Sequence, residues 1–106
     1  MDIINQDSSG YLTVTPKNKS GAAEAPDSMS YRIDCLTSAK VVRADTALVA
    51  ASVVEIHLTP TDNAIQNEAN EFEAKLVTVT CTYGASDGVK SQYSYEVRNL
   101  TKVPSP

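Results

Sequence analysis

Four segments of the chain alternate apolar and polar residues with a period of two. In residues 29–35 every odd position is apolar, and residues 77–83 repeat the pattern with threonines in between. Residues 54–58 and residues 89–97 alternate in a similar way. A strand with one apolar and one polar face belongs to an antiparallel sheet that has one side in water. The alternation therefore predicts an all-β chain of antiparallel strands.

Shorter segments complete the predicted set of strands. Residues 11–15 read as a strand that ends at Pro16, and residues 40–43 and 47–50 are expected to add two separate short strands. Glycines at both ends of residues 84–88 predict a hairpin between the two longest strands. With 106 residues the chain has room for one domain. We expect an immunoglobulin-like antiparallel β-sandwich of about seven strands.

One stretch departs from the alternation. Thr59 followed by Pro60 is typical of a helix start, and apolar residues then recur at helical spacing. We expect a short helical turn near residues 60–66 followed by an irregular polar loop. A longer helix that reaches Ala74 is the alternative. The acidic side chains of this stretch lack the pattern of a calcium loop and are expected in solvent: Asp62, Glu68, Glu71 and Glu73.

The two ends of the chain lack the alternating pattern of the domain between them. We divide the chain into an N-terminal arm (residues 1–9), the sandwich domain (residues 10–100) and a C-terminal tail (residues 101–106). The arm carries two adjacent isoleucines, which either bury on a neighbouring molecule or pack on their own sandwich as an edge strand. The candidate partner-binding residues are Ile3, Ile4, Tyr11 and Val103.

The charge balance argues against two classes of partner. Nine Lys and Arg residues stand against thirteen Asp and Glu residues, and the basic residues form no run. Nucleic-acid binders and proteins of anionic membrane surfaces need clustered basic residues, so we expect neither partner. The acidic amino terminus lacks the apolar stretch of a secretion signal, so we expect the protein in the cytoplasm or in a particle assembled there.

The reactive residue types do not form a catalytic or metal-binding pattern. His57, the only histidine, lies on the polar face of its predicted strand without a predictable partner. Cys35 and Cys81 both lie on apolar strand faces; we expect free thiols in the core, with a disulfide between two sheets as the alternative. The sequence therefore predicts no enzyme, no cofactor and no metal site.

Four stretches carry a resemblance to a known group of proteins. Residues 26–34 (PDSMSYRID), 52–65 (SVVEIHLTPTDNAI), 77–84 (VTVTCTYG) and 95–100 (YEVRNL) look like small proteins encoded by phages and prophages. The segment around residues 18–21 also resembles immunoglobulin-like modules of phage baseplates and fibres. Those modules have an Asp-rich turn where this chain has Lys17, Asn18 and Lys19.

This resemblance implies a function carried by protein–protein contacts. It indicates a structural accessory protein of a bacteriophage particle, located in the virion, that decorates the capsid or joins head and tail. The implied partners are other virion proteins and further copies of the same chain. The alternative is a host-surface or carbohydrate-binding module of a phage fibre or baseplate, which would use exposed aromatic side chains.

Overall fold

The structure of the protein is a computed structural model that describes residues 2–18, 20–84 and 87–100. These residues form seven strands. The strands are β1 (Asp2–Asn5), β2 (Gly10–Val14), β3 (Ser28–Cys35), β4 (Lys40–Leu48), β5 (Val54–Leu58), β6 (Phe72–Tyr83) and β7 (Asp87–Arg98). Strands β6 and β7 are the longest, with twelve residues each, whereas β1, β2 and β5 have four or five.

The strands form two sheets that pack face to face. One sheet has five strands in the order β1-β7-β6-β3-β4, and the other has two strands, β2 and β5. All neighbouring pairs are antiparallel except β1 and β7, which run parallel. The all-β class and the two-sheet architecture are confirmed. The strand order is compatible with an immunoglobulin-like sandwich, and that finer assignment stays a prediction.

The core lies between the sheets and consists of the apolar residues that the alternation predicts. Ile33, Val77 and Val97 of the large sheet are fully buried, and Ile56 of the small sheet packs over them. Since side chains alternate along a strand, every second residue of β3, β5 and β6 points into this layer. Tyrosines also contribute to the core: Tyr31 and Tyr95 are buried, and Tyr83 and Tyr93 are half-buried against it.

Three details of the predicted secondary structure are wrong. Strand β4 is one strand of nine residues, since two bulges opposite residues 31–34 bend it without ending it. The parallel partner of β7 makes the large sheet mixed rather than antiparallel. The alternative of a helix reaching Ala74 fails because β6 already begins at Phe72.

The segment after β5 forms a single turn. The Asn63 amide donates to the Thr59 carbonyl at 3.2 Å, the spacing of one helical turn, and no described residue belongs to an α-helix. Thr59 and Asp62 cap each other: the Asp62 amide donates to Thr59 Oγ1 at 3.2 Å, and the Thr59 amide donates to Asp62 Oδ2 at 2.9 Å. This reciprocal pair is the capping-box arrangement.

Candidate functional site

The candidate partner-binding residues of the amino-terminal segment lie in different environments. β1 pairs with the end of β7 in the large sheet, which is the edge-strand alternative for this segment. Ile3 is 59% exposed, whereas Ile4 packs against the core and against Gly10 of β2. Val103 lies outside the described residues. Of the two isoleucines, Ile3 is therefore the one that faces solvent.

Tyr11 stands on the outer face of the small sheet and is 64% exposed. It lies directly opposite His57 of β5, and the two rings stack with centroids 4.9 Å apart and an interplanar angle of 11°. His57 Nε2 lies 3.2 Å from Ser9 Oγ, a hydrogen bond at the edge of the imidazole. The sequence placed His57 on the polar face of its strand, but it did not predict the stacking, because it does not show that these two strands pair.

A second exposed feature is the connection between β4 and β5, together with the end of β4. Residues 47–53 carry no charge, and we call them the apolar connection. Val49 is 88% exposed and Val53 is 58% exposed, while Leu48, Ala50 and Ala51 pack partly against the core. Single exposed valines are common, but two of them within one uncharged segment offer an apolar surface for contact. This surface was not predicted, although the uncharged composition of the segment is visible in the sequence.

The opposite end of the sandwich holds a buried ion pair. Glu73 and Lys75 of β6 are fully buried, and Lys75 Nζ lies 3.3 Å from Glu73 Oε1. The Glu73 carboxylate also accepts the amides of Gln66 at 2.7 Å and Asn67 at 2.8 Å and the side chain of Asn70 at 3.0 Å. Burial alone would raise the pKa of Glu73, but these hydrogen bonds and the lysine together hold it below its ordinary value. The pair thus fixes the loop before β6.

Asp62 is buried next to this loop and not exposed as predicted. Its Oδ1 accepts a hydrogen bond from Arg43 Nε of β4 at 2.9 Å. That bond raises the pKa of Arg43 and ties the turn after β5 to the far edge of the large sheet. The expectation of a solvent-exposed acidic loop is wrong for Asp62 and Glu73. It holds for Glu68 and Glu71, which are exposed.

The cysteines are free and buried, and both lie in the large sheet. Cys35 is paired with Lys75 and Cys81 with Met29, so the two positions are six steps apart along β6. At about 3.3 Å per residue they lie roughly 20 Å apart, too far for a disulfide. The expectation of free thiols is confirmed, and the inter-sheet alternative fails because β3 and β6 are neighbours.

Two adjoining cavities open on one side of the sandwich, between β2 and β7. The first has a volume of about 190 Å³ and lies between Ile4, Leu12 and Tyr93. The second, of about 180 Å³, lies between Val14, Val89 and Tyr93. They exist because the two-stranded sheet covers only part of the five-stranded sheet. Tyr93 lines both cavities, which adjoin at its ring, and we call the two together the apolar groove.

Among residues 2–18, 20–84 and 87–100, no three metal-ligating side chains come together. In the same residues, no helix is long and apolar enough to cross a membrane. No family model, curated protein or solved structure matches the chain.

Proposed function

We propose that the protein is a structural, non-enzymatic component of a bacteriophage particle that acts through protein–protein contacts. Two things support the proposal: the resemblance of four stretches to small phage and prophage proteins, and the exposed apolar connection. A rigid sandwich that carries contact surfaces at its edges and loops suits a protein that adds buried area between larger subunits.

The apolar connection is the observation that carries this proposal. Val49 and Val53 expose most of their surface to solvent in the isolated chain, and no charged residue lies among residues 47–53. Burying two valines stabilises a contact by roughly 2–5 kcal/mol before the cost of ordering is subtracted. We therefore assign the contact with the particle to this connection.

Mass spectrometry of particles purified from a host that carries the gene tests the proposal. We expect the chain in the particle fraction in a fixed ratio to the other proteins. Val49→Asp with Val53→Asp should leave the domain folded and reduce its recovery with particles. Ala69→Asp, an exposed change at the opposite end of the sandwich, is the matched control. Absence of the wild-type chain from particles would refute the proposal.

A second candidate function is recognition of a host surface or a carbohydrate. The observation that favours it is the stacked pair Tyr11 and His57, with Ser9 beside it, since aromatic rings next to hydroxyl groups contact sugars. A glycan array probed with the whole chain tests this function. Binding that Tyr11→Ala abolishes and Tyr11→Phe retains would support it, and an array without signal would reject it.

A further inference from the structure

The edge of the large sheet next to β1 is only half covered. β1 pairs with residues 95–98 of β7 and begins opposite Tyr95. At residues 88–94, β7 pairs with β6 on one side, and no strand of the described residues pairs on the other. A regular strand edge of seven residues therefore presents its backbone groups to a partner.

The two edges of the large sheet differ in how they resist such pairing. At the β4 edge two bulges interrupt the register, and Lys40, Arg43 and Asp45 add charges along it. Bulges and edge charges are the usual means by which proteins block edge-to-edge association. Residues 88–94 pair with β6 without a register shift, contain no proline and carry one charge, Lys90. The β7 edge is thus the open one.

The open edge borders the apolar groove. Val89, Ser91 and Tyr93 point into the sandwich and line the cavity of about 180 Å³. Lys90 and Gln92 point to the outer face and are exposed. A strand added here would therefore bring its own inward side chains to the mouth of that cavity. The occupant must offer apolar residues at alternate positions on the inward side and no like charge opposite Lys90.

We propose that a second copy of this chain occupies the open edge, with the two β7 strands paired antiparallel across a two-fold axis at Ser91. Directly opposed residues of an antiparallel pair have their side chains on the same face of the sheet. Each residue that points into the sandwich must therefore lie opposite another such residue, and this requires the two-fold axis to pass through a residue rather than between two. At Ser91 it places Val89 opposite the partner's Tyr93 and Lys90 opposite the partner's Gln92. All seven residues of the open edge then pair.

The neighbouring registers are worse. An axis at Lys90 sets two lysines directly opposite each other, which is destabilising. An axis at Gln92 allows only residues 90–94 to pair, because from Tyr95 onward this edge of β7 is already paired with β1. Seven paired residues bury less than the roughly 800 Å² per partner of a standard interface, so we expect a weak dimer. This dimer goes beyond the proposed function and does not depend on it, because it forms from the chain alone.

Sedimentation equilibrium of the full chain and two charge variants at one position tests the register. In the Gln92→Lys dimer the new lysine of each copy lies opposite Lys90 of the other copy. This repulsion should raise the dissociation constant about fivefold. Gln92→Glu places a carboxylate there and should lower it about fivefold. Gln92 is exposed, with only a 3.4 Å hydrogen bond to Thr78 Oγ1 to lose, so both variants should fold. Thr78→Lys is the control, since it adds the same charge away from the edge.

Hydrogen exchange gives a second readout. The backbone amides of residues 88–94 should become better protected as the protein concentration rises, while those of β4 stay unchanged. A chain that remains monomeric at millimolar concentration would overturn the proposal. A dimer whose dissociation constant is the same in both Gln92 variants, or one that protects β4 instead, would also overturn it.

Discussion

The hydroxyl of Tyr95 donates a 2.8 Å hydrogen bond to Oδ1 of Asn63, and both residues are buried. The amide nitrogen of the same Asn63 side chain donates to the Ser8 carbonyl at 2.7 Å, and its backbone carbonyl accepts the Asp7 amide at 3.0 Å. One asparagine thus joins the turn after β5, the turn after β1 and the strand β7. The pKa of Tyr95 is raised, mainly by burial, so the phenol stays a donor at physiological pH.

Tyr95→Phe should remove this donor without changing the packing of the ring. The Asn63 oxygen would then be buried without its partner, which costs about 1–2 kcal/mol of unfolding free energy. Urea unfolding of the two proteins measures the difference. Tyr11→Phe is the control and should change stability by less than about 0.5 kcal/mol, since Tyr11 is exposed. Equal losses in both variants would show that the buried bond contributes nothing.

The pKa of Glu73 makes stability depend on pH in an acidic window. The folded protein holds the pKa of Glu73 below its ordinary value of 4.5, so the unfolded chain takes up the proton first as the pH falls. The stabilisation that the Glu73 carboxylate gives the folded protein is complete above the pKa that the group has in the unfolded chain. It is lost as the pH decreases through the lower pKa that the group has in the folded protein. Unfolding free energies measured from about pH 7 to about pH 3 should fall in that window, and less so in Glu73→Gln.

Breaking the buried pair should cost more than replacing it. Glu73→Gln leaves Lys75 buried without its carboxylate, and we expect a loss of about 3–5 kcal/mol at neutral pH. Glu73→Gln combined with Lys75→Met removes the charge as well and should recover part of that loss. Chemical denaturation of the single and double variants completes the comparison. A double variant no more stable than the single one would contradict this reading of the pair.

The sequence allowed the strands and the core to be predicted better than the polar groups between them. Period-two alternation places Val77, Val79 and Cys81 inward, and the same count, continued backwards, also places Lys75 and Glu73 inward. The alternation therefore indicated that both side chains are buried, but their charges favoured an exposed position. Their burial depends on the amides of the preceding loop, and the fold of a loop cannot be read from its composition.

The two cysteines should behave as unreactive core thiols. Burial raises the pKa of Cys81, so little thiolate is present at neutral pH, and both side chains are shielded from solvent. A thiol reagent should label the native protein slowly and find two groups after denaturation. Cys35→Ala with Cys81→Ala should cost roughly 1–3 kcal/mol through lost packing. Two groups that react at once in the native protein would contradict the buried placement.

The last prediction separates the two isoleucines of β1, which the sequence treats alike. Ile4 packs against the core and Gly10, so Ile4→Ala should cost about 1–3 kcal/mol of unfolding free energy. Ile3→Ala changes an exposed side chain on the same strand and should cost less than about 0.5 kcal/mol. Deleting residues 1–5 should lower the melting temperature of the monomer further than Ile4→Ala does, because the strand pairing with β7 is lost as well. Thermal unfolding of the three proteins at one concentration makes the comparison. A deletion that leaves the melting temperature unchanged would show that β1 adds nothing to the stability of the monomer, and the segment would then be free to act as an arm toward a partner.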